Sequence, residues 1–253
     1  IVDLTQIDSG IVTQVGTYTG AGLRQAHNLA IDEVSGFAYV CGALNNPSMG
    51  GLIVLDLANP VNPVFRAFWS NQYVHDALPV TYESGPYAGR QIVFAFSGYF
   101  DTRLRILDVT NKFNIQVIGH SDYPNRGFAH QGWLSDDKRY IYLNDEFDEL
   151  DFGVPTSTHI IDVSILTNAR YVQSFGSGLS STDHNLMVEG NFVFEANYTS
   201  GLRIFRVDSP SLVTQVGWFD TYPQNDNPGF NGAWGVYTKL PSGNILVSDI
   251  QNG

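Results

Sequence analysis

One cysteine in 253 residues excludes a good deal at once. Cys41 has no second thiol to pair with, so neither an intrachain disulfide nor a thiolate metal cluster is available. It lies within a β-type run, where it reads as a small buried side chain. Charge is sparse, with Asp, Glu, Lys and Arg making up 15 %. Positive charge is scarcest: 13 Lys and Arg stand against 25 Asp and Glu, for a net charge of −12. Nucleic-acid binding needs a cationic footprint, so the sequence argues against it, and against docking on an anionic membrane surface. No apolar run is long enough to span a bilayer as a helix. Convincing helical periodicity is also missing, because Gly, Pro and β-branched residues interrupt every candidate. Ile rather than Met stands first, which reads as a processed start with any signal peptide removed from view.

What is present suits sheets. Hydrophobic residues make up 43 % and aromatics 13 %, with 25 Gly, 13 Tyr and 16 Phe. That is enough for a sizeable core and too apolar for disorder. Two strings recur. The first begins at a histidine: AHNLAID, VHDALPV, AHQGWLS and DHNLMVE, carrying His27, His75, His130 and His184. The second is a short β-type run, an acidic or basic residue, a turn and another β-type run. It occurs five times, from IVDLTQIDSGIVTQVGTY at the start to LRIFRVDSPSLVTQVGWF. Between the two strings lie FAYVCG, QIVFAFS, YIYLND and FVFEAN, with NILVSD near the end.

Four strands per repeat of roughly 40–50 residues are the signature of a propeller blade. The expectation is therefore an all-β, five-bladed β-propeller of four-stranded antiparallel blades, a single domain over residues 1–253. The chain ends on a second strand and begins on a third and fourth, so the two ends are expected to share one blade and close the ring. The I-x-D-[LV] strand with its Pro/Asn turn resembles the LVIVD repeat. Together with VHDALPVTYESGPYAGR, FAHQGWLSDDKRYIYLNDE and NGAWGVYTKLPSGNILVSDIQNG, the whole chain resembles the propeller domain of choice-of-anchor B proteins. That resemblance implies a bacterial-type secreted or cell-surface protein and implies no particular activity. Low lysine and acidity fit an extracellular, periplasmic or cell-surface location.

In a propeller the first strands line the central channel, so equivalent positions converge. Four imidazoles there present lone pairs to a shared point, which is what a transition metal takes. His27, His75, His130 and His184 are thus the expected ligands of Fe, Cu, Mn, Ni or Zn, with open positions for a reactive site. Counting back from Asp249 places Trp234 at the fifth position, as a wall or gate. The alternative is capping: the imidazoles satisfy strand ends and bind nothing. Asn28, Asp76, Gln131 and Asn185, which follow the histidines, read as structural, as do His120 and His159.

Other candidate chemistry is thinner. The acidic stretch over residues 144–153 offers Ca²⁺ ligands or a general acid, though a solvated loop is the plainer reading. Asp145 and Asp249 end second strands; they are turn formers or a carboxylate pair against a sugar. Trp133 and Trp234 are expected in an aromatic platform for a small molecule or glycan, with Arg126 able to meet an anionic ligand. Packing between blades would use the same aromatics. Two classes of function stay open: a metal-dependent enzyme on a small-molecule or glycan substrate, and a surface module that binds glycan or protein with structural histidines.

Overall fold

A computed structural model describes all residues, 1–253. It is almost entirely β. Two short strands, β1 (Val2–Asp3) and β2 (Thr13–Gln14), pair with each other. Four four-stranded sheets follow in chain order. The first holds β3 (Asn28–Asp32), β4 (Phe37–Cys41), β5 (Leu52–Asp56) and β6 (Val64–Trp69). The second holds β7 (Asp76–Thr81), β8 (Gln91–Ser97), β9 (Arg103–Asp108) and β10 (Gln116–Ser121). The third holds β11 (Ala129–Leu134), β12 (Tyr140–Asp145), β13 (Thr158–Asp162) and β14 (Arg170–Phe175). The fourth holds β15 (Asn185–Glu189), β16 (Phe192–Ala196), β17 (Leu202–Ser209) and β18 (Leu212–Phe219). A last pair, β19 (Ala233–Tyr237) and β20 (Leu246–Asp249), ends the chain. No helix is long and apolar enough to cross a membrane.

Each four-stranded sheet is built in sequence order, so neighbouring strands are joined by short turns. The repeated acidic residue explains one of those turns. Asp56, Asp108 and Asp162 each accept the backbone N–H two residues on, from Ala58, Thr110 and Ser164, at 2.8, 3.0 and 2.9 Å. Asp3 does the same for Thr5 at 2.8 Å. This is the aspartate turn, and it is why the I-x-D string recurs. A second shared detail follows it. The ladder between third and fourth strands slips at Val54/Leu55, Ile160/Ile161 and Ile204/Phe205, the same place in three sheets.

The second and third strands are the apolar ones. Ile92, Val93, Phe94, Ala95 and Phe96 are fully buried in β8, and Leu52, Ile53 and Val54 in β5. Fourth strands such as β14 and β18 keep exposed faces. Continuous apolar runs in the centre and alternation at the edge are what burial on two faces against one requires. At the two ends of the chain β1 pairs with β2 and β19 with β20. The N-terminal strands are two residues each and exposed. Between them the backbone closes on itself in a one-turn 3₁₀ helix capped by Gly10.

The chain divides into two compact units, residues 1–94 with 107–116 and residues 95–106 with 117–253. In the first, Ala38, Val40, Ala43, Ile53 and Leu55 form a core with Tyr18, Leu23 and Phe68 against it. In the second, Tyr142 and Ile160 of one sheet pack against Leu186, Val188, Val193 and Phe205 of the next. Side-chain amides then stitch first strands together. Gln131 of β11 donates to Leu186 O at 3.1 Å and accepts from Leu186 N at 2.9 Å. Asn185 of β15 donates to Trp234 O in β19 at 3.0 Å. Two of the residues after the histidines, Gln131 and Asn185, thus reach sideways to the next sheet.

Candidate metal centre

The four repeated histidines occupy one place in the repeat. His27, His75 and His184 stand immediately before β3, β7 and β15, and His130 is the second residue of β11. Trp234 is likewise the second residue of β19. The correspondence extends to the ladder. Ala129 faces Asp145 and Gln131 faces Asn144, so His130 bulges out; Ala233 faces Asp249 and Gly235 faces Ser248, so Trp234 does too. A bulged residue is released from the pairing and its side chain is re-aimed.

In the first unit the rings of His27 and His75 lie 3.7 Å apart between centroids, tilted by 41°. His27 hangs on the next strand through its N–H to Cys41 O at 2.9 Å. It sits against Gly42, whose φ is +65°; a Cβ there would lie 2.6 Å from His27 Cβ. Only glycine meets both demands. Burial lowers the His27 pKa, which favours the neutral ring.

In the second unit the rings of His130 and His184 are 4.2 Å apart, and both side chains are buried. Glu146 joins them. Its Oε2 lies 3.7 Å from His130 Nε2 and its Oε1 3.8 Å from His184 Nε2. One ligand atom from each of the three lies within 4.8 Å of the others. These separations are too long for hydrogen bonds. They are close to what two ligands adopt when they share an ion at bond lengths near 2.1 Å. Glu146 follows the last residue of β12, one step after Asp145, and was legible in the sequence only as part of the acidic stretch.

The surroundings of these three residues point the same way. Nδ1 of His184 faces the carbonyl oxygen of Trp234. An N–H on Nδ1 leaves the lone pair on Nε2, aimed at Glu146, the usual support of a metal-bound imidazole. Tyr198 donates its hydroxyl to Glu146 Oε1 at 2.7 Å. Burial raises the Glu146 pKa to about 6, with the Tyr198 hydrogen bond opposing and the nearby Asp145 reinforcing it. The carboxyl is thus costly to ionise without a cation beside it. The Trp234 ring lies 5.1 Å from the His184 ring and remains half-exposed, so it flanks the group as a wall.

The remaining expected site residues are otherwise engaged. Asp145 is buried and accepts from Tyr123 Oη at 2.7 Å, Phe128 N at 2.6 Å and Phe147 N at 3.2 Å. It fixes the loop before β11, and burial lifts its pKa to about 6. Asp249 accepts from Gln251 N and Asn252 N at 2.8 and 2.7 Å, closing the turn after β20. Trp133 packs onto the core between the third and fourth sheets. Arg126 is held by Thr102 O and Asp122, both at 2.8 Å. The solvated acidic loop is corrected outright. Asp145, Asp148 and Glu149 are buried, because the chain folds back after β12 into a short helix, α1 (Asp148–Phe152), ended by left-handed Gly153. His159 is buried within β13.

No family model matches the chain, and no curated protein matches it in sequence. Solved structures match it in shape. A protein from Lactobacillus plantarum superposes with a TM-score of 0.58 at 14 % identity, over 87 % of this chain and 69 % of that one. The periplasmic gluconolactonase of Pseudomonas aeruginosa gives a TM-score of 0.59 at 14 % identity, over 88 % of this chain. This chain spans 65 % of that gluconolactonase. The dihydro-heme d1 dehydrogenase NirN gives 0.53 at 10 % identity, over 78 % of this chain and 37 % of that one. Likeness at such identities speaks for fold alone, and with these neighbours the sheets described above are a β-propeller-like fold.

Proposed function

We propose that this protein is a metal-dependent enzyme of the propeller-like class, acting on a small-molecule or glycan substrate at the His130–Glu146–His184 group. The observation that carries the reading is the aim of His184: Nδ1 on a backbone carbonyl, Nε2 toward a carboxylate at a non-hydrogen-bonding distance. Two imidazoles and one carboxylate suit a divalent transition metal such as Zn or Fe and leave coordination positions open. Such an ion, when bound, supplies Lewis acidity to an oxygen of the substrate. The chain's own part is to fix the ligands. Trp234 O sets the His184 tautomer, Tyr198 orients Glu146, and the Trp234 ring offers a flat apolar face beside the open side.

Enzymes on a lactone and on a dihydro-heme are among the neighbours by name, but fold does not carry chemistry across; the argument rests on this site. Five repeat units, membership of the choice-of-anchor B group and an extracellular or periplasmic location belong to the same reading, supported by the sequence motifs. Screening the metal-loaded chain against lactones, glycosides and esters tests it. Turnover that disappears in His184→Ala and returns with added metal in the wild type supports it. Glycan binding without turnover, unchanged in His184→Ala, favours the surface module.

A further inference from the structure

A series of aromatic rings links the two histidines of the His130–Glu146–His184 group, and most of it is unused by the metal reading. Phe128 stands two residues before His130, and Phe147 follows Glu146 directly. The Phe128 ring lies 6.4 Å from the His130 ring and 4.8 Å from that of Phe147. Phe147 lies 6.2 Å from Phe230, and Phe230 meets Tyr198 edge-on at 5.5 Å. Tyr198 lies 4.7 Å from the His184 ring, and Trp234 lies 5.1 Å from the same ring. Offset and edge-on pairs attract at these separations. Phe128 and Tyr198 are buried and Phe147 is half-buried, while Phe230 and Trp234 keep nearly half of their surface exposed. An inner pair of rings therefore fixes an outer set that faces solvent beside the ligands.

The series continues outward through a strained turn. Tyr99 meets the Phe128 ring edge-on at 4.8 Å, and the Phe100 ring lies 6.4 Å from that of Tyr99. Asp101 N donates to Tyr99 O at 2.8 Å, so the chain reverses over three residues with Phe100 at the tip. Phe100 has a φ of +68° and is 98 % exposed. A bulky residue in left-handed backbone is strained, and a ring left wholly in water recovers little of that by packing. Such outliers gather where a ligand is held. The polar groups nearest the rings are committed elsewhere. The Tyr198 hydroxyl is on Glu146, Arg126 is on Thr102 O and Asp122, and Thr102 Oγ1 is on Gly98 O at 3.0 Å. A sugar needs donors and acceptors for its hydroxyls, and an anion needs a cation; these rings offer apolar faces and edges.

We propose that this aromatic series is the substrate-binding face of the neighbouring centre, and that the substrate is a neutral, flat aromatic compound carrying a hydroxyl oxygen, of the phenol or naphthol class. Phe147, Phe230 and Trp234 take the ring, its oxygen serves the His130–Glu146–His184 group, and Tyr99 and Phe100 extend the face for larger ring systems. Small-molecule sites are lined in this way, by apolar and aromatic side chains with few polar groups. A net charge of −12 further disfavours an anionic substrate. The role of the oxygen rests on the metal reading above; the capture of the ring does not.

The test is equilibrium dialysis of the full chain, stripped and Zn²⁺-loaded in parallel, against 2-naphthol, 2,3-dihydroxynaphthalene and methyl β-glucoside. Both naphthols are expected to bind the stripped chain, the dihydroxy compound more tightly once Zn²⁺ is present, and the glucoside more weakly than either. Phe230→Ala and Phe100→Ala are each expected to weaken 2-naphthol by about three- to tenfold, the worth of one aromatic pair, and to leave Zn²⁺ uptake unchanged. Phe113→Ala removes an exposed ring from the turn between β9 and β10 and is expected to change nothing. If Phe230→Ala does not fold, Phe100→Ala decides, because it removes only a ring that stands in solvent. An affinity for 2-naphthol that is unchanged in the variants, or lowered equally by Phe113→Ala, overturns the proposal. So does a glucoside that binds more tightly than 2-naphthol. A chain that takes up no Zn²⁺ yet loses 2-naphthol in Phe230→Ala ends the metal reading and supports this face; Zn²⁺ uptake without any dependence on these rings does the opposite.

Discussion

At the scale of single residues the account depends on His130, His184 and Glu146 acting as one group. His130→Ala removes a ligand while the other two stay in place. Supporting residues around metal sites typically cost 10–100-fold in affinity when lost, so loss of a ligand is expected to cost more than about 100-fold. The melting temperature of the metal-free protein should stay near that of the wild type, and His120→Ala should change neither quantity. Tyr198→Phe keeps the ring and deletes the hydroxyl that reaches Glu146 at 2.7 Å. It is expected to weaken metal binding by about tenfold; isothermal titration of the three variants checks the order. The histidines were legible because repetition in sequence becomes repetition in place. Glu146 was not, because its neighbour Asp145 has the same charge and the opposite job. Which of two adjacent carboxylates faces the histidines is settled by the turn after β12, and nothing in residue type records it.

At the scale of elements, contacts between first strands replace backbone pairing between sheets. The Gln131 amide both donates to and accepts from the Leu186 backbone, so it completes a strand-like pair from a side chain. Gln131→Ala strands two buried backbone groups and is expected to cost about 2–6 kcal/mol, at about 1–3 kcal/mol for each unmade buried hydrogen bond, read by urea denaturation. Gly42→Ala places a methyl group 2.6 Å from His27 Cβ at a φ of +65°; it should lower the melting temperature and disturb the His27–His75 pair. The second and third strands could be read directly as apolar runs, and the repeated aspartates as turns. β1 and β2 repeat the string of a third and fourth strand and pair with each other, but the 3₁₀ turn between Asp3 and Thr13 could not be read from it. The acidic stretch failed for a related reason. Composition said solvent, but α1 tucks Asp148 and Glu149 inward while leaving Leu150 and Phe152 exposed.

At the scale of the whole molecule, a chain of net charge −12 buries carboxyls it cannot cheaply ionise. Burial raises the Glu195 pKa to about 7, opposed by hydrogen bonds from Thr158 and Asn197 and by Arg203. A carboxyl whose folded pKa exceeds its unfolded value binds the proton more tightly when folded. Its contribution to stability is therefore present below the unfolded pKa, near 4.5, and is lost as pH rises through about 7. The metal-free protein should be more stable at pH 5 than at pH 8, the reverse of the usual acid denaturation, and Glu195→Gln should flatten that slope in melts across the range. A bound cation opposes the loss, because it favours the ionised carboxylates. The most direct test of the central claim is X-ray absorption, with metal quantitation, on the full chain purified without a histidine tag, stripped, and reloaded with one divalent transition metal. The account predicts about one tightly held ion per chain, coordinated by two imidazole nitrogens and carboxylate oxygen, with the imidazole signal reduced in His130→Ala. Stripped protein that takes up no such metal at micromolar concentration, or an ion whose coordination shell is unchanged in His130→Ala, contradicts it.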